Sequence, residues 1–268
     1  MKISYLGPKG TYCYDACNLY NKDKGYEMIP ANTITEAVEL LVNGKVEECV
    51  VPIENSIRGT VLETIDLISE NDELFIKQEL VLDIVHCLLG NKNVNKQENQ
   101  KIYSHSQAIG QCKNYIKNEL KNCQIIEVES TAKGAENVKN LKEGLCIANK
   151  ICAELYDLQI IDENIQDRNN NQTKFFVLTK NKNHRKDNVK ISLVFSTENK
   201  PGALYKILGL INTFEVNMTK IESRPSKTGL GDYWFWIDVN IDELDEKISI
   251  LFDIIKSKCS YFRVLGIY

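Results

Sequence analysis

Histidine, tryptophan and proline are scarce in this chain: three His, two Trp and five Pro among 268 residues. His86, His105 and His184 have no partner at zinc-finger spacing, so no metal is expected. No two cysteines form a C-x-x-C pair. The nine Cys are odd in number, and several sit in apolar runs such as Glu48-Cys49-Val50-Val51, as buried, reduced thiols of a cytoplasmic protein would. No apolar run reaches the length of a membrane helix, and the start lacks the basic and apolar segments of a secretory leader. Gly7-Pro8-Lys9-Gly10-Thr11 lacks the spacing of a phosphate loop, so no nucleotide cofactor is expected. Positive charge is not in excess either. A net charge of −4 and dispersed lysines argue against a general nucleic-acid binder.

What is present is enough apolar residue, 43%, for sizeable cores. Strand and helix signals alternate through the first region. Strands are expected at Ile3–Leu6, Cys49–Ile53, Leu80–Leu89, Lys101–Ser104, Gln124–Val128 and Phe175–Leu178. Helices are expected at Thr11–Asn21, Val61–Ser69, Gln107–Leu120 and Ala132–Asn140, and Leu145–Tyr156 reads as a strand then a helix. This alternation predicts an α/β architecture with largely parallel sheets. The polar segment Thr179–Asn188 reads as a linker. Beyond it Lys190–Ser196, Ala203–Phe214, Met218–Ser223, Tyr233–Ile241, Glu243–Lys258 and Phe262–Gly266 give the order β-α-β-β-α-β of a ferredoxin-like domain. The expected domains are 1–180, with a second lobe over about 80–158, and 189–268.

Four strand-to-helix junctions of the first region carry hydroxyl or amide residues: Gly7–Thr11, Pro52–Thr60, Ser104–Gln107 and Glu129–Ala132. A single Ser or Thr at such a place is ordinarily only a cap. Several facing one cleft would make an anion site from free N–H groups, with little need of arginine. Glu54-Asn55-Ser56 directly follows an apolar strand and would be costly there without partners or a cleft. In Asp167–Leu178 a very polar stretch runs into a strand, with Thr173 at its mouth and Lys174 beside it. A neutral hydroxyl donor next to a cation suits a reaction that expels hydroxide from an anion. Trp234 and Trp236 share a strand face and read as packing or interface residues.

Together these segments, in this order, resemble the prephenate dehydratase family over essentially the whole chain. The resemblance rests on Gly7–Thr11, Pro52–Gly59, Ser104–Gln107, Glu129–Ala132 and Asn171–Phe175. Gly202-Ala203-Leu204 and Glu222-Ser223-Arg224-Pro225 resemble the phenylalanine-binding segments of an ACT domain. It implies a two-lobed, periplasmic-binding-protein-like (type II) catalytic domain, in which the chain crosses between the lobes twice, followed by a ferredoxin-like βαββαβ ACT domain. It implies decarboxylative dehydration of prephenate to phenylpyruvate without any cofactor. The alternatives are an arogenate dehydratase and a non-catalytic amino-acid- or solute-binding module. The family's catalytic threonine corresponds to Thr173, with Glu54, Asn55 and Ser56 beside it in the catalytic set. Thr11, Ser104, Gln107, Thr131, Lys174 and Phe175 are the expected substrate contacts, with Lys174 paired to a carboxylate. Asn199, Pro201, Gly202, Ala203, Leu204, Glu222, Ser223, Arg224 and Pro225 are the expected phenylalanine contacts. Lys174 stands where the family usually has Arg, Ser106 where Pro is usual, and Arg58 where Glu is common. A homodimer or homotetramer regulated by L-phenylalanine is expected, with no nucleic-acid or membrane partner. With no chorismate mutase segment ahead of the first strand, a monofunctional enzyme is expected.

Overall fold

The computed structural model describes residues 1–92, 94, 96, 100–182, 187–226 and 233–268. Part of the expected linker, residues 183–186, lies outside the described residues.

The chain opens with β1 (Lys2–Leu6), α1 (Tyr12–Asn21), β2 (Glu27–Ala31), α2 (Ile34–Val42), β3 (Glu48–Asn55), the short β4 (Gly59–Thr60), α3 (Leu62–Ser69) and β5 (Phe75–Asp83). A second series follows: β6 (Cys87–Gly90), β7 (Lys101–Ser104), α4 (Ser106–Gln111), α5 (Lys113–Glu119), β8 (Gln124–Glu127), α6 (Thr131–Leu141), β9 (Leu145–Ala148), α7 (Ile151–Tyr156) and β10 (Gln159–Asp162). The chain then returns as β11 (Gln172–Thr179). It ends with β12 (Asp187–Ser196), α8 (Ala203–Thr213), β13 (Asn217–Pro225), β14 (Tyr233–Glu243), α9 (Glu246–Lys258) and β15 (Tyr261–Ile267).

Two sheets build the α/β part. The first has the order β2-β1-β3-β11-β5, with β1 parallel to both β2 and β3. The second has the order β10-β6-β9-β7-β8, with β7 parallel to both β8 and β9. β9 is apolar and buried along its length, as a strand covered on both faces should be. This is the expected two-lobed α/β fold, entered through Ile84–His86 and left through residues 163–171. The apolar run Leu80–Leu89 is therefore two strands rather than one, broken where the chain changes lobe. Gln107–Leu120 is likewise two helices, meeting at Cys112. β2 and α2 were not read from the sequence. Pro30 weakens the strand signal of β2, an edge strand that can spare an N–H. The pattern of α2 was nevertheless legible: Ile34, Ala37, Val38 and Leu41 form one buried face, and Thr33 caps the Glu36 N–H at 3.0 Å.

The last four strands form an antiparallel sheet, β13-β14-β12-β15, the expected ferredoxin-like order. Val189, Ile191, Leu193 and Phe195 alternate along β12 and pack with Ile207 and Ile211 of α8 and Ile248, Leu251 and Ile255 of α9. Trp236 is buried and donates to Asp238 at 2.8 Å, while Trp234 stacks on Tyr261.

The chain divides into two compact units, and neither is one continuous stretch. Met1–Ile65 joins Leu80–Phe176, and Asp66–Glu79 joins Val177–Tyr268. Within the second unit the 66–79 segment is held by polar side chains. Arg224 donates Nε and Nη2 to the two Asp66 oxygens at 2.8 and 2.6 Å. Lys190 reaches Glu79 at 2.7 Å, Tyr261 donates to Asp72 at 2.9 Å, and Arg263 donates to the Ile68 carbonyl at 3.1 Å.

Candidate functional site

An open cavity of about 1170 Å³ lies in the first unit, lined from both lobes. One wall comes from the loop after β1, the β3–β4 turn and the mouth of β11. The other comes from the helix starts after β7 and β8. The close approach of the first loop to α7 demands glycine: Gly10 has φ +90°, and a Cβ there would meet Cys152 Sγ at 2.9 Å.

Of the residues expected in the site, Thr11, Asn55, Gln107, Thr131, Thr173 and Phe175 line this cavity. Thr11 caps α1, accepting from the Tyr14 N–H at 3.1 Å. The cap of α6 is Ser130 rather than Thr131, which leaves the Thr131 side chain on the wall.

Asn55 organises the centre. Its two Nδ2 hydrogens are shared among three acceptors, Asn171 Oδ1 at 2.8 Å, Thr173 Oγ1 at 2.9 Å and the Gln172 carbonyl at 3.1 Å. Its Oδ1 accepts from the Ile57 and Arg58 N–H groups, both at 3.1 Å. One amide therefore joins the two chain segments that shape the wall. Because Thr173 Oγ1 accepts from Asn55, its own proton remains available to a ligand.

Glu54, Ser56, Ser104 and Lys174 are not brought onto the cavity wall. Side chains of a strand alternate between faces, so residues next to Asn55 and Thr173 must point away from them. Glu54 and Lys174 meet each other on the reverse side, Nζ to Oε2 at 3.4 Å. Lys174 is therefore turned from the cavity, not toward a ligand carboxylate. Ser56 donates to the Asn170 carbonyl at 3.2 Å and accepts from the Gln172 N–H at 2.9 Å, which fixes the 170–172 segment. Ser104 is buried and donates to the Ile147 carbonyl at 2.6 Å.

Lys9, Arg58 and Lys133 supply positive charge to the wall, and Glu129 and Glu136 supply negative charge. Lys133 is matched by Glu136 at 2.7 Å. Lys9 and Arg58 make no ion pair among the described residues, and the peptide N–H of Arg58 is fixed by Asn55. Cys13 also lines the cavity, with burial pushing its thiol up to about 12.

Three further wall residues escaped the sequence reading: Tyr12, His86 and Gln111. Tyr12 donates to the Val85 carbonyl at 2.6 Å and lies 3.1 Å from His86 Nδ1, and His86 Nε2 lies 2.8 Å from the Gln111 carboxamide. They come from α1, the crossing segment and α4, so no local spacing links them. Among the described residues no cluster of His, Cys, Asp and Glu is arranged to hold a metal ion, and no helix is long and apolar enough to cross a membrane.

The expected effector residues all fall in the second unit. Asn199, Pro201 and Gly202 are exposed at the entry to α8, followed by Ala203 and Leu204 in its first turn. Glu222, Ser223, Arg224 and Pro225 end β13. Arg224 is engaged by Asp66.

A family model described as prephenate dehydratase matches residues 3–183, and one described as ACT domain matches residues 191–248. A prephenate dehydratase of Methanocaldococcus jannaschii is 39% identical over 274 residues, covering 99% of this chain and 97% of the relative. A solved prephenate dehydratase of Arthrobacter aurescens, in complex with L-Phe, superposes with a TM-score of 0.90 at 28% identity, covering 100% of this chain and 90% of that one. GqqA, described as a novel type of quorum quenching acylase, superposes with a TM-score of 0.88 at 27% identity, covering 100% and 97%.

Proposed function

This chain belongs to the prephenate dehydratase family, enzymes that convert prephenate to phenylpyruvate, and we propose that its reaction runs in the first-unit cavity with Thr173 as hydrogen-bond donor. The observation that carries this reading is the 2.9 Å bond from Asn55 Nδ2 to Thr173 Oγ1. It occupies the hydroxyl oxygen as an acceptor and leaves its hydrogen for the substrate.

In the reaction the bond between the ring and its carboxylate breaks, and CO2 departs. The released electron pair completes the aromatic ring, and the ring hydroxyl leaves, taking a proton from solvent to become water. Aromatisation drives the reaction, so the protein must hold a dianion and stabilise the departing oxygen. A threonine hydroxyl is a poor acid, so Thr173 contributes a directed hydrogen bond rather than complete proton transfer. Arg58 and Lys9 are the cations for the substrate carboxylates, because Lys174 is paired with Glu54. Thr11, Gln107 and Thr131 add hydrogen bonds, and Phe175 packs against the ring. Glu54, Ser56, Ser104 and Lys174 hold the strands and the 170–172 segment in place.

The boundaries we assign are 1–180 for catalysis and 189–268 for regulation. L-phenylalanine is the effector, held by the 199–204 and 222–225 segments in a homodimer or homotetramer. The nine free cysteines suit the reducing cytoplasm. Acyl transfer has no comparable support. It would need an activated nucleophile, and burial keeps the Cys13 thiol protonated.

The test is incubation with prephenate, following phenylpyruvate as its enolate in alkali, and then with arogenate. Conversion of prephenate is expected. No product from prephenate would refute the assignment, and product from arogenate alone would move it to the aminated substrate.

A further inference from the structure

We propose that His86 is a positioning residue whose protonation state decides which end of the Gln111 carboxamide faces the cavity. The inference rests on the reading that the cavity binds a dianion.

The hydrogen bonds around Tyr12 set the problem. Its hydroxyl lies 2.6 Å from the Val85 carbonyl, a separation at which the single phenol proton lies between the two oxygens. Toward His86 Nδ1, at 3.1 Å, the phenol oxygen can then only accept, so Nδ1 carries hydrogen. The other ring nitrogen, Nε2, faces Gln111 Oε1 at 2.8 Å. If the ring is neutral, Nε2 is an acceptor. Gln111 must then turn its NH2 to the ring and its oxygen to the cavity. If the ring is protonated, Nε2 donates. Gln111 then offers its oxygen to the ring and its NH2 to the cavity. The two ends of a carboxamide have nearly the same shape, so the choice between them needs no repacking.

The ring cannot escape this choice by moving. The His86 N–H donates to Gln166 Oε1 at 3.0 Å, and the His86 carbonyl accepts from the Ile165 N–H at 3.0 Å. These bonds pin His86 where the two crossings between lobes meet. His86 is buried, and burial holds its pKa below the ordinary 6.5, with the Gln111 bond acting against that. Burial shifts the other titratable groups around the network. Burial raises Tyr12 and Cys87, and lifts Cys112 on α4 and Cys152 on α7 to about 12. Burial also raises Asp15 on α1 from the usual 3.8.

The structure shows the second arrangement, Gln111 Oε1 toward Nε2, whereas a neutral ring with its hydrogen on Nδ1 would turn a carbonyl oxygen to the cavity, which repels an anion. A bound dianion favours the protonated ring twice, through its charge and through the NH2 that the ring's new donor sends to the cavity wall. Substrate binding should take up a proton from solvent at His86.

The experiment measures kcat and KM for prephenate across roughly pH 5.5 to 8.5, the range in which histidine titrates. For the wild type KM is expected to rise with pH, by up to about tenfold per unit where one proton is linked to binding, while kcat changes much less. Tyr12→Phe frees Nδ1 to act as an acceptor, so a neutral ring can donate from Nε2 and KM should stay low and flat. His86→Gln should also give a flat KM. His105→Gln, which alters the other histidine of the cavity, should keep the slope. Calorimetry of prephenate binding to Thr173→Ala in two buffers of different ionisation enthalpy should show proton uptake, lost when His86→Gln is added. Turnover with the same KM slope in wild type, Tyr12→Phe and His86→Gln would overturn this inference alone. No turnover of prephenate by the wild type would overturn the reaction assignment and this inference with it.

Discussion

The β3–β11 junction of the first unit and the end of β13 in the second are both motif-bearing strand ends, yet their polar groups are used in opposite ways. At the junction, Asn55, Ser56, Asn171 and Gln172 bond chiefly to one another, and Thr173 lies on the cavity wall with its oxygen held by Asn55. At the end of β13, Arg224 is spent on Asp66, a residue distant in sequence at the middle of α3. The first arrangement lines a cavity. The second secures an element whose beginning closely follows the Asn55–Thr60 turn. A polar motif residue can thus face a cavity or hold a helix.

The largest expected effect tests the first half of that contrast. Thr173→Ala should lower kcat by about 100-fold or more, the scale of a lost positioned donor, with the melting temperature nearly unchanged because the hydroxyl is not core. Turnover close to wild type would mean the directed hydroxyl is not what the junction provides. Asp66→Asn tests the second half. It weakens the fork to Arg224 without adding bulk, and should cut the response to phenylalanine by about fivefold or more, within the range of allosteric coupling, while turnover stays within about twofold. Inhibition curves and calorimetric phenylalanine binding measured together check this. Lost binding with lost inhibition would place Arg224 against the ligand, whereas retained binding with lost inhibition would place it in the coupling. The smallest effects separate the two faces of one strand pair. Arg58→Gln should raise KM by about tenfold, the loss of one charge-assisted contact, and Lys174→Gln by less than about threefold, since an ion pair away from the cavity carries little. Equal KM changes in the two variants would erase the distinction between the faces.

Much of this was legible in sequence because the signals are local. Glycine-bearing turns, capping hydroxyls and the polar run before Phe175 mark strand and helix ends wherever they occur. The orientation of Lys174 was also legible. A residue adjacent to Thr173 in a strand cannot share its face, and the 2.0-residue period outweighs the chemical appeal of a neighbouring cation. The Tyr12–His86–Gln111 chain was not legible, since three elements must meet in space before any of its bonds exist. The Asp66–Arg224 fork was hidden for the same reason: only the folded second unit brings the middle of α3 to β13.

The discontinuous units also bear on how the protein is made. Domains generally fold during synthesis as their sequence emerges, the N-terminal ones first. Here the ribosome delivers Asp66–Glu79 long before Val177–Tyr268, with which it belongs. Ile68, Leu74 and Ile76 are fully buried in the finished protein, and Ile76 lies against β15 at Gly266. Until the last strands are made, this apolar segment lacks part of its cover, a natural point of engagement for chaperones. A nonsense codon near residue 188 would leave that segment paired with β11 but without β15. Such a product should be cleared as a misfolded fragment rather than persist as a deregulated enzyme.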